Sequence, residues 1–149
     1  MAEIEAWIAI IVGTATAAGV IFSIIQGNRT AQREQKKKQI FETLQNLEGD
    51  LTKIKEREIE LSSREKTIRY ASDYLNVLDK IAFLGKIKYL NENMLDYFKP
   101  EFAYGLALVQ WKVDNDLIIK PENIYANLMS ISKILDITSD SQESLPFNR

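Results

Sequence analysis

The sequence of 149 residues contains no cysteine and no histidine. Without cysteine, the chain has no disulfide, no thiolate zinc site and no cysteine nucleophile. Without histidine, it lacks the usual general base near neutral pH and the commonest transition-metal ligand, which excludes a serine–histidine mechanism. We therefore predict that the protein is not an enzyme and that it holds no metal or cofactor.

No sign of charge dominates the chain either. It has 19 basic and 21 acidic residues and a formal net charge of -2, so it is neither a basic nucleic-acid binder nor an acidic tail. The basic residues also concentrate in one short stretch after residue 28, away from the folded part of the chain. We therefore predict that nucleic acid is not a partner.

One long run lacks charged side chains entirely. It extends from Ala6 to Asn28, and as a helix rising about 1.5 Å per residue it would span roughly 34 Å, enough for a hydrocarbon core of about 30 Å. A cleaved signal peptide would begin with positive charge, whereas Glu3 and Glu5 precede this run. A buried core helix is the other alternative, but the run is too long for so small a domain. We predict a transmembrane anchor over residues 1–28.

Positive charge lies on only one side of this anchor, at Arg29, Arg33, Lys36, Lys37 and Lys38. The positive-inside rule then predicts a single-pass protein of the cell membrane, with the N-terminus outside and the rest in the cytoplasm. The same residues could also attract anionic lipid headgroups, although a topology signal alone accounts for them.

Small residues share one face of the predicted anchor, at Gly13, Ala15, Ala17 and Gly19. Such faces allow close approach of helices in lipid. We expect contact with the lipid bilayer, and either a homo-oligomer or another membrane protein against this face. Glycine and alanine are common in membrane helices, so the face could also have no partner.

Residues 29–61 are predicted to form a charged helical stalk. A heptad stripe of apolar residues runs from it into the next segment, at Ile40, Leu47, Ile54, Leu61, Ile68 and Leu75. Leu44 and Leu51 complete a coiled-coil spacing in its first half. Packing between chains and packing within the chain both fit the stripe from Ile40 to Ile54; packing within the chain is favoured for Ile68 and Leu75.

Residues 62–137 are predicted to form a helical bundle, which makes the fold class all-α. Ser62 and Glu65 fit a capping box, and Gly85 fits the left-handed residue that ends the helix they begin. Asn91 is predicted to cap a short helix that Pro100 ends, with the next helix starting at Pro100.

A last helix is predicted to begin near Pro121. Its apolar spacing predicts four buried side chains, at Ile124, Leu128, Ile131 and Leu135. Residues 138–149 are rich in serine, aspartate and glutamine and are predicted to be a disordered tail.

Two features of the bundle could carry function. Tyr97, Phe98, Phe102 and Trp111 could line a groove for a ligand or partner, although core packing is the more ordinary role of such residues. Asp114 and Asp116 could hold Mg²⁺, although a polar turn is the simpler interpretation.

The stretch from Tyr74 to Lys88, the stretch from Leu90 to Leu95, and the pair Gln110–Trp111 resemble the domain of unknown function 4760 family. Its members are small prokaryotic helical proteins, often with one N-terminal membrane helix. The family has no established activity, so the resemblance implies a fold rather than a function.

Two hypotheses follow from the sequence. The first is a membrane-anchored interaction protein: an accessory subunit, adaptor or assembly factor that presents a helical domain to a cytoplasmic partner. The alternative is a membrane-tethered regulatory or sensory protein that binds a small ligand in the aromatic cluster. A carboxylate-based membrane enzyme using Asp114 and Asp116 is a third and weaker hypothesis.

Overall fold

The computed structural model describes residues 30 to 147, and every regular element in that range is helical. Its α-helices are α1 Thr30–Glu56, α2 Arg64–Lys86, α3 Glu92–Asp114, α4 Pro121–Ile124 and α5 Ala126–Ile134. Short 3₁₀ turns cover Arg57–Glu60 and Gln142–Ser144. The prediction of an all-α fold is confirmed for the described residues.

The predicted transmembrane anchor lies outside the described residues, together with its small-residue face. Between positions 30 and 147, no helix is both long and apolar enough to cross a membrane. The anchor, its orientation and the contacts of its small residues stay predictions from the sequence.

The chain divides into two compact units between Gly49 and Asp50, whereas the sequence predicts the boundary between residues 61 and 62. The boundary moves because the last turns of α1 belong to the bundle. Lys55 and Arg57 form ion pairs with α3 and α2 at 2.7 and 2.8 Å. The predicted stalk therefore ends earlier than its charge pattern indicates.

The heptad stripe packs at least partly within one chain. Leu51, Ile54 and Leu75 are buried in the single chain, at 3%, 8% and 0% exposure. The 3₁₀ turn Arg57–Glu60 ends α1 and interrupts the helical spacing. The favoured interpretation of Leu75 is confirmed, and Leu51 and Ile54 behave in the same way.

The core of the second unit forms where α2 packs against α3 and α5 and where α3 packs against α5. Two helical glycines allow this close approach. A Cβ at Gly105 would overlap Cδ2 of Leu78, and a Cβ at Gly85 would lie 2.6 Å from Cδ2 of Leu95. Gly85 is therefore an internal packing residue and does not end α2 as predicted.

Left-handed residues other than glycine end the three long helices of the bundle. Lys88, Asp116 and Asp136 have φ angles of 62°, 57° and 51°. Each follows the last turn of its helix, where backbone N–H groups bond to carbonyls three and five residues earlier, the pattern of a Schellman motif. The glycine signal was misleading for α2, because Lys88 and not a glycine takes the left-handed position after that helix. The polar turn predicted at Asp114 and Asp116 does follow α3.

The helix starts were predicted more closely. Asn91 caps α3, accepting a hydrogen bond from the Met94 N–H at 2.9 Å, which confirms that prediction. The cap of α2 is Ser63 rather than Ser62, and its hydroxyl accepts from the Lys66 N–H at 3.2 Å. The predicted capping box does not form, because the residue three positions after Ser63 is Lys66 and not Glu65.

Pro100 lies inside α3 instead of separating two helices. A proline there removes one hydrogen bond and crowds the preceding turn. The helix continues because Phe98 and Phe102, on either side of Pro100, are both buried in the core. Their burial offsets the local cost.

The helix predicted from Pro121 is divided in two. Pro121 does begin α4, but that helix ends at Ile124, and Tyr125 separates it from α5. Leu128 and Ile131 are buried as predicted. Ile124 is half exposed, which corrects its prediction, because the break rotates it out of register with α5.

The segment after α5 is also ordered where the structure describes it. The predicted disordered tail is corrected for residues 138–147, since Gln142–Ser144 forms a 3₁₀ turn that packs on α3. Leu145 is completely buried. Two apolar anchors at Leu145 and Phe147 hold the segment down despite its polar composition.

Candidate functional site

An open groove of about 430 Å³ lies between the end of α1 and the middle of α2. Its lining comes from two sets of side chains spaced to share a helix face: Asp50, Lys53, Ile54 and Arg57, then Asp73, Asn76, Val77 and Lys80. Six of these eight are charged or carry an amide. The groove is therefore suited to polar recognition, whereas cofactor pockets are mostly apolar.

The charges of the groove are unevenly paired. Nη2 of Arg57 donates to Oδ2 of Asp73 at 2.8 Å, with the two side chains 39% and 43% exposed. The side chains of Lys53, Lys80 and Asp50 make no hydrogen bond or ion pair with any residue that the structure describes. Two ammonium groups and one carboxylate thus remain available to a ligand.

The α1 wall of the groove is held by contacts around residues 55–58. Nζ of Lys55 lies 2.7 Å from Oε1 of Glu101 on α3. Arg57 binds α2 through Asp73, and Glu58 accepts from the Tyr70 hydroxyl at 2.5 Å. Each contact reaches a bundle helix, so together these contacts hold the end of α1 against α2 and α3.

Glu58 and Glu101 belong to a partly buried cluster that we call the tyrosine network: Glu58, Tyr70, Tyr74, Glu101 and Tyr104. The Tyr70 and Tyr104 hydroxyl oxygens lie 2.8 Å apart, and the Tyr74 hydroxyl donates to Glu101. The Tyr74 and Tyr104 rings meet edge to face with centroids 5.1 Å apart. The network joins the end of α1 to both α2 and α3.

Burial raises the pKa of Tyr70 and Tyr74 far above the usual value of a phenol, since a buried phenolate would lose its hydration. Hydrogen bonds to Glu58 and Glu101 raise it further, because they are made by the protonated hydroxyl. Burial also raises the pKa of Tyr104. These tyrosines therefore act as fixed donors near neutral pH and not as acid–base groups.

A second polar cluster surrounds Lys112, which is buried on α3. Its Nζ donates to the Ser72 hydroxyl at 2.8 Å and to the Tyr125 hydroxyl at 2.9 Å. The ammonium also lies 5.4 Å from the Tyr125 ring centroid, a cation–π distance. The two hydrogen bonds tie α3 to Ser72 of α2 and to Tyr125, which lies between α4 and α5.

The predicted aromatic groove is mostly interior in the structure. Phe98, Phe102 and Trp111 are buried, and Phe98 packs on Phe102 with ring centroids 6.4 Å apart. Tyr97 alone is well exposed, at 62%. These four residues do not line one open surface, because α3 turns three of them toward the bundle.

The predicted juxtamembrane patch is only partly described. Arg33, Lys36, Lys37 and Lys38 lie on α1, whereas Arg29 lies outside the described residues. Lys37 forms an exposed ion pair with Glu34 at 3.3 Å. An exposed pair of this kind contributes little to stability and leaves the patch a solvated helix surface.

Asp114 and Asp116 lie in a polar turn, which was the simpler interpretation of this pair. Asp114 ends α3 and accepts hydrogen bonds from Gln110 and Gln142 at 2.8 and 2.7 Å. These hydrogen bonds lower the pKa of the Asp114 carboxyl. Over residues 30–147, no three acidic side chains converge as a metal site would require.

The groove was not identified from the sequence. Its α1 residues belonged to the predicted charged stalk, and no site was predicted among its α2 residues. The available signal was the four-residue spacing of Lys53 and Arg57, which recurs between Asn76 and Lys80. That spacing does not reveal that the two helices lie side by side.

Comparisons with protein-family models, with curated proteins and with solved structures gave no match for this chain. The resemblance to the domain of unknown function 4760 family stays a prediction. The function of the chain has to follow from its own side chains, since a helical fold by itself implies none.

Proposed function

We propose that the chain is a membrane-anchored interaction protein, an accessory subunit, adaptor or assembly factor, that binds a protein partner at the groove between α1 and α2. The uncharged run from Ala6 to Asn28 supports the anchor because its length fits a bilayer. The basic residues that follow support a cytoplasmic position for the helical domain.

The observation that carries the partner site is the position of Lys53 and Lys80. Neither ammonium has a counter-ion among the described residues, yet both line the same groove as the Arg57–Asp73 pair. Unpaired surface lysines are common on their own. Their convergence on a groove with a fixed wall supports recognition of a segment with acidic side chains, because complementary charge gives specificity and speeds association.

The alternative, a sensor that binds a small ligand in the aromatic cluster, has less support. Phe98, Phe102 and Trp111 are buried by neighbouring side chains of the same chain. A ligand would have to displace that packing, with a loss of buried apolar area. The groove of about 430 Å³ is large enough for a small molecule, but its lining is charged.

A photoreactive residue at Asn76 tests the partner site directly. Asn76 is exposed and lines the groove, so its adducts in native membranes report what occupies the groove. The matched control position is Lys133, exposed near the end of α5. We expect discrete adducts with another protein from Asn76 and none of the same size from Lys133. The same adduct pattern from both positions would overturn the proposal.

Charge reversal adds specificity to this experiment. Lys53→Glu with Lys80→Glu replaces both unpaired ammonium groups by carboxylates and should abolish the Asn76 adduct. Lys133→Glu makes the same chemical change outside the groove and should leave it unchanged. An adduct that survives the double reversal would show that these charges do not recognise the partner.

The membrane part of the proposal has its own test. Because the chain lacks cysteine, the exposed Glu122→Cys substitution introduces one thiol into the helical domain. The protein should stay in the membrane pellet after alkaline extraction. Its thiol should react with an impermeant reagent only after cell lysis. Release at alkaline pH would contradict the anchor, and labelling of intact cells would contradict the orientation.

A further inference from the structure

A second pocket, of about 170 Å³, lies where the 3₁₀ turn Arg57–Glu60 meets the first turns of α2. We call it the cationic pocket, and its lining is Arg57, Glu60, Leu61, Lys66, Arg69 and Tyr70. Pockets that hold a drug-sized ligand usually measure about 300–1,000 Å³. The cationic pocket is therefore suited to one small chemical group and not to a whole cofactor.

The corner that forms this pocket has a defined backbone. Leu61 has φ -76° and ψ 68°, the conformation of an inverse γ-turn, and the Ser62 N–H donates to the Glu60 carbonyl at 2.8 Å. The Tyr70 hydroxyl donates to Glu58 at 2.5 Å. That bond ties the 3₁₀ turn to α2, so the two walls of the pocket are joined directly.

Lys66 and Arg69 line the α2 side of the pocket with donors that are largely unused. Among the described residues, Nζ of Lys66 has one acceptor, the neutral Ser62 hydroxyl at 3.3 Å. Nη2 of Arg69 lies 3.6 Å from Glu65, which is beyond hydrogen-bond distance, and both side chains are mostly exposed. An exposed pair of this kind is weak, so both cations are available to a ligand.

Arg57 supplies the third cation, from the other wall. It donates to Asp73 through Nη2, and a guanidinium has five N–H donors, so most of its donors are open. Asp73 lines the groove and not this pocket. Among the described lining residues Glu60 is the only carboxylate, against three cationic groups. The lining therefore favours an anion.

We propose that the cationic pocket binds a phosphate monoester. Such a group has three terminal acceptor oxygens and carries about -1.5 to -2 charge at pH 7. Guanidinium groups suit it because their N–H donors pair with two oxygens at once, and an ammonium adds a point charge. A carboxylate has two oxygens and a single charge, so it matches three cations less well. The phosphate belongs either to a small soluble molecule or to a lipid headgroup.

NMR signals of labelled arginine side chains test the site residue by residue. The full chain is placed in nanodiscs of neutral lipid and titrated with glycerol phosphate, with sodium chloride of equal ionic strength as the control for screening. We expect saturable shifts at Arg57 and Arg69 and none at Arg33, which lies in the basic stretch of α1. Equal shifts at all three arginines would reveal unspecific attraction and overturn the site.

Charge variants give the test a sign. Lys66→Gln should weaken binding roughly tenfold or more, because a charge-assisted hydrogen bond is lost. Glu60→Gln should tighten binding roughly threefold, because a repelling carboxylate is removed. Both side chains are exposed, so both variants should fold, and Lys133→Gln on α5 is the matched control with unchanged affinity. Unchanged affinity in Lys66→Gln, or no gain in Glu60→Gln, would contradict the proposal.

A second arm identifies the source of the phosphate. Here the nanodiscs contain lipid with a terminal phosphate monoester, and no soluble probe is added. Shifts at Arg57 and Arg69 with glycerol phosphate assign a soluble ligand, and shifts in the lipid arm alone assign a headgroup. Absence of shifts in both arms sinks the proposal. Lys66 and Arg69 lie outside the groove between α1 and α2, so that failure would leave the Asn76 adduct and the proposed partner site unaffected.

Discussion

The tyrosine network and the groove use their polar side chains in opposite ways. In the network, Tyr70 and Tyr74 are 1% and 0% exposed, and their hydroxyls reach the carboxylates of Glu58 and Glu101. In the groove, Lys53 and Lys80 meet solvent and have no described partner. The network pairs its hydroxyls with carboxylates inside the protein, whereas the groove leaves two of its ammonium groups without a described partner.

This difference separates residues that hold the structure from residues that can recognise something. A buried polar group left without its partner costs about 1–3 kcal/mol, whereas an exposed charge is hydrated whether or not it is paired. Changes in the network should therefore alter stability, and changes in the groove should alter binding with little effect on stability. Each prediction below tests one side of that division.

The largest expected effect is a loss of stability in alkali. The pKa of Tyr70 and of Tyr74 is raised in the folded chain, so their contribution is complete below the unfolded value of about 10 and is lost as pH rises above it. Each should cost about 1.4 kcal/mol by pH 11, or about 3 kcal/mol together. Urea unfolding of the full chain in detergent micelles at pH 8 and pH 11 measures the difference.

Two variants separate these tyrosines from other groups that titrate in alkali. Tyr70→Phe with Tyr74→Phe should lose about 3 kcal/mol less than the unmodified chain over this pH range. Tyr97→Phe, at a side chain that is mostly exposed, is the matched control and should behave like the unmodified chain. An unchanged pH dependence in the double variant would show that the two phenols ionise freely in the folded state.

At neutral pH, the single change Tyr70→Phe should lower the free energy of unfolding by about 2 kcal/mol. It removes the donor that reaches Glu58 and the hydrogen bond to Tyr104, while the ring keeps its packing. Urea unfolding at pH 7 provides the measurement, again with Tyr97→Phe as control. If both variants kept full stability, water would be replacing the lost hydroxyl, and the network would not be closed.

Sequence patterns predicted the helical class and several helix starts because those depend on nearby residues. Asn91 caps α3, and Pro121 is the first residue of α4, as their residue types predict. Signals that depend on distant contacts failed. Pro100 and Gly85 mark helix ends in isolation, but packing around Phe98 and Phe102, and close contact with Leu95, keep them inside helices.

The candidate sites were harder to predict than the fold for the same reason. Residues 141–147 have the composition of a disordered tail, and only the apolar pair Leu145 and Phe147 distinguishes them. Two anchors suffice because the bundle supplies Trp111 and Tyr70 as a surface for them. The groove likewise requires α1 to end beside α2, and no local pattern encodes that neighbour.

Replacing a glycine by alanine adds one methyl group, and its effect on stability should differ between the interior and the surface. Gly105→Ala should destabilise the chain by about 1 kcal/mol, since overpacking against Leu78 outweighs the gain in helix propensity. Gly49→Ala should stabilise by up to about 1 kcal/mol, because no atom lies within 4 Å of the added methyl. Thermal unfolding of both variants measures the sign. A stabilising Gly105→Ala would show that the α2–α3 contact is looser than described.

The smallest effect on stability should come from the groove itself. Lys53→Glu with Lys80→Glu should change the free energy of unfolding by no more than about 0.5 kcal/mol per site, since neither ammonium has a described partner to lose. Urea unfolding measures it, with Lys133→Glu as the equal change elsewhere. A loss of several kcal/mol would place these lysines with the tyrosine network as structural groups. Stability close to that of the control, together with loss of the Asn76 adduct, would assign their charge to recognition.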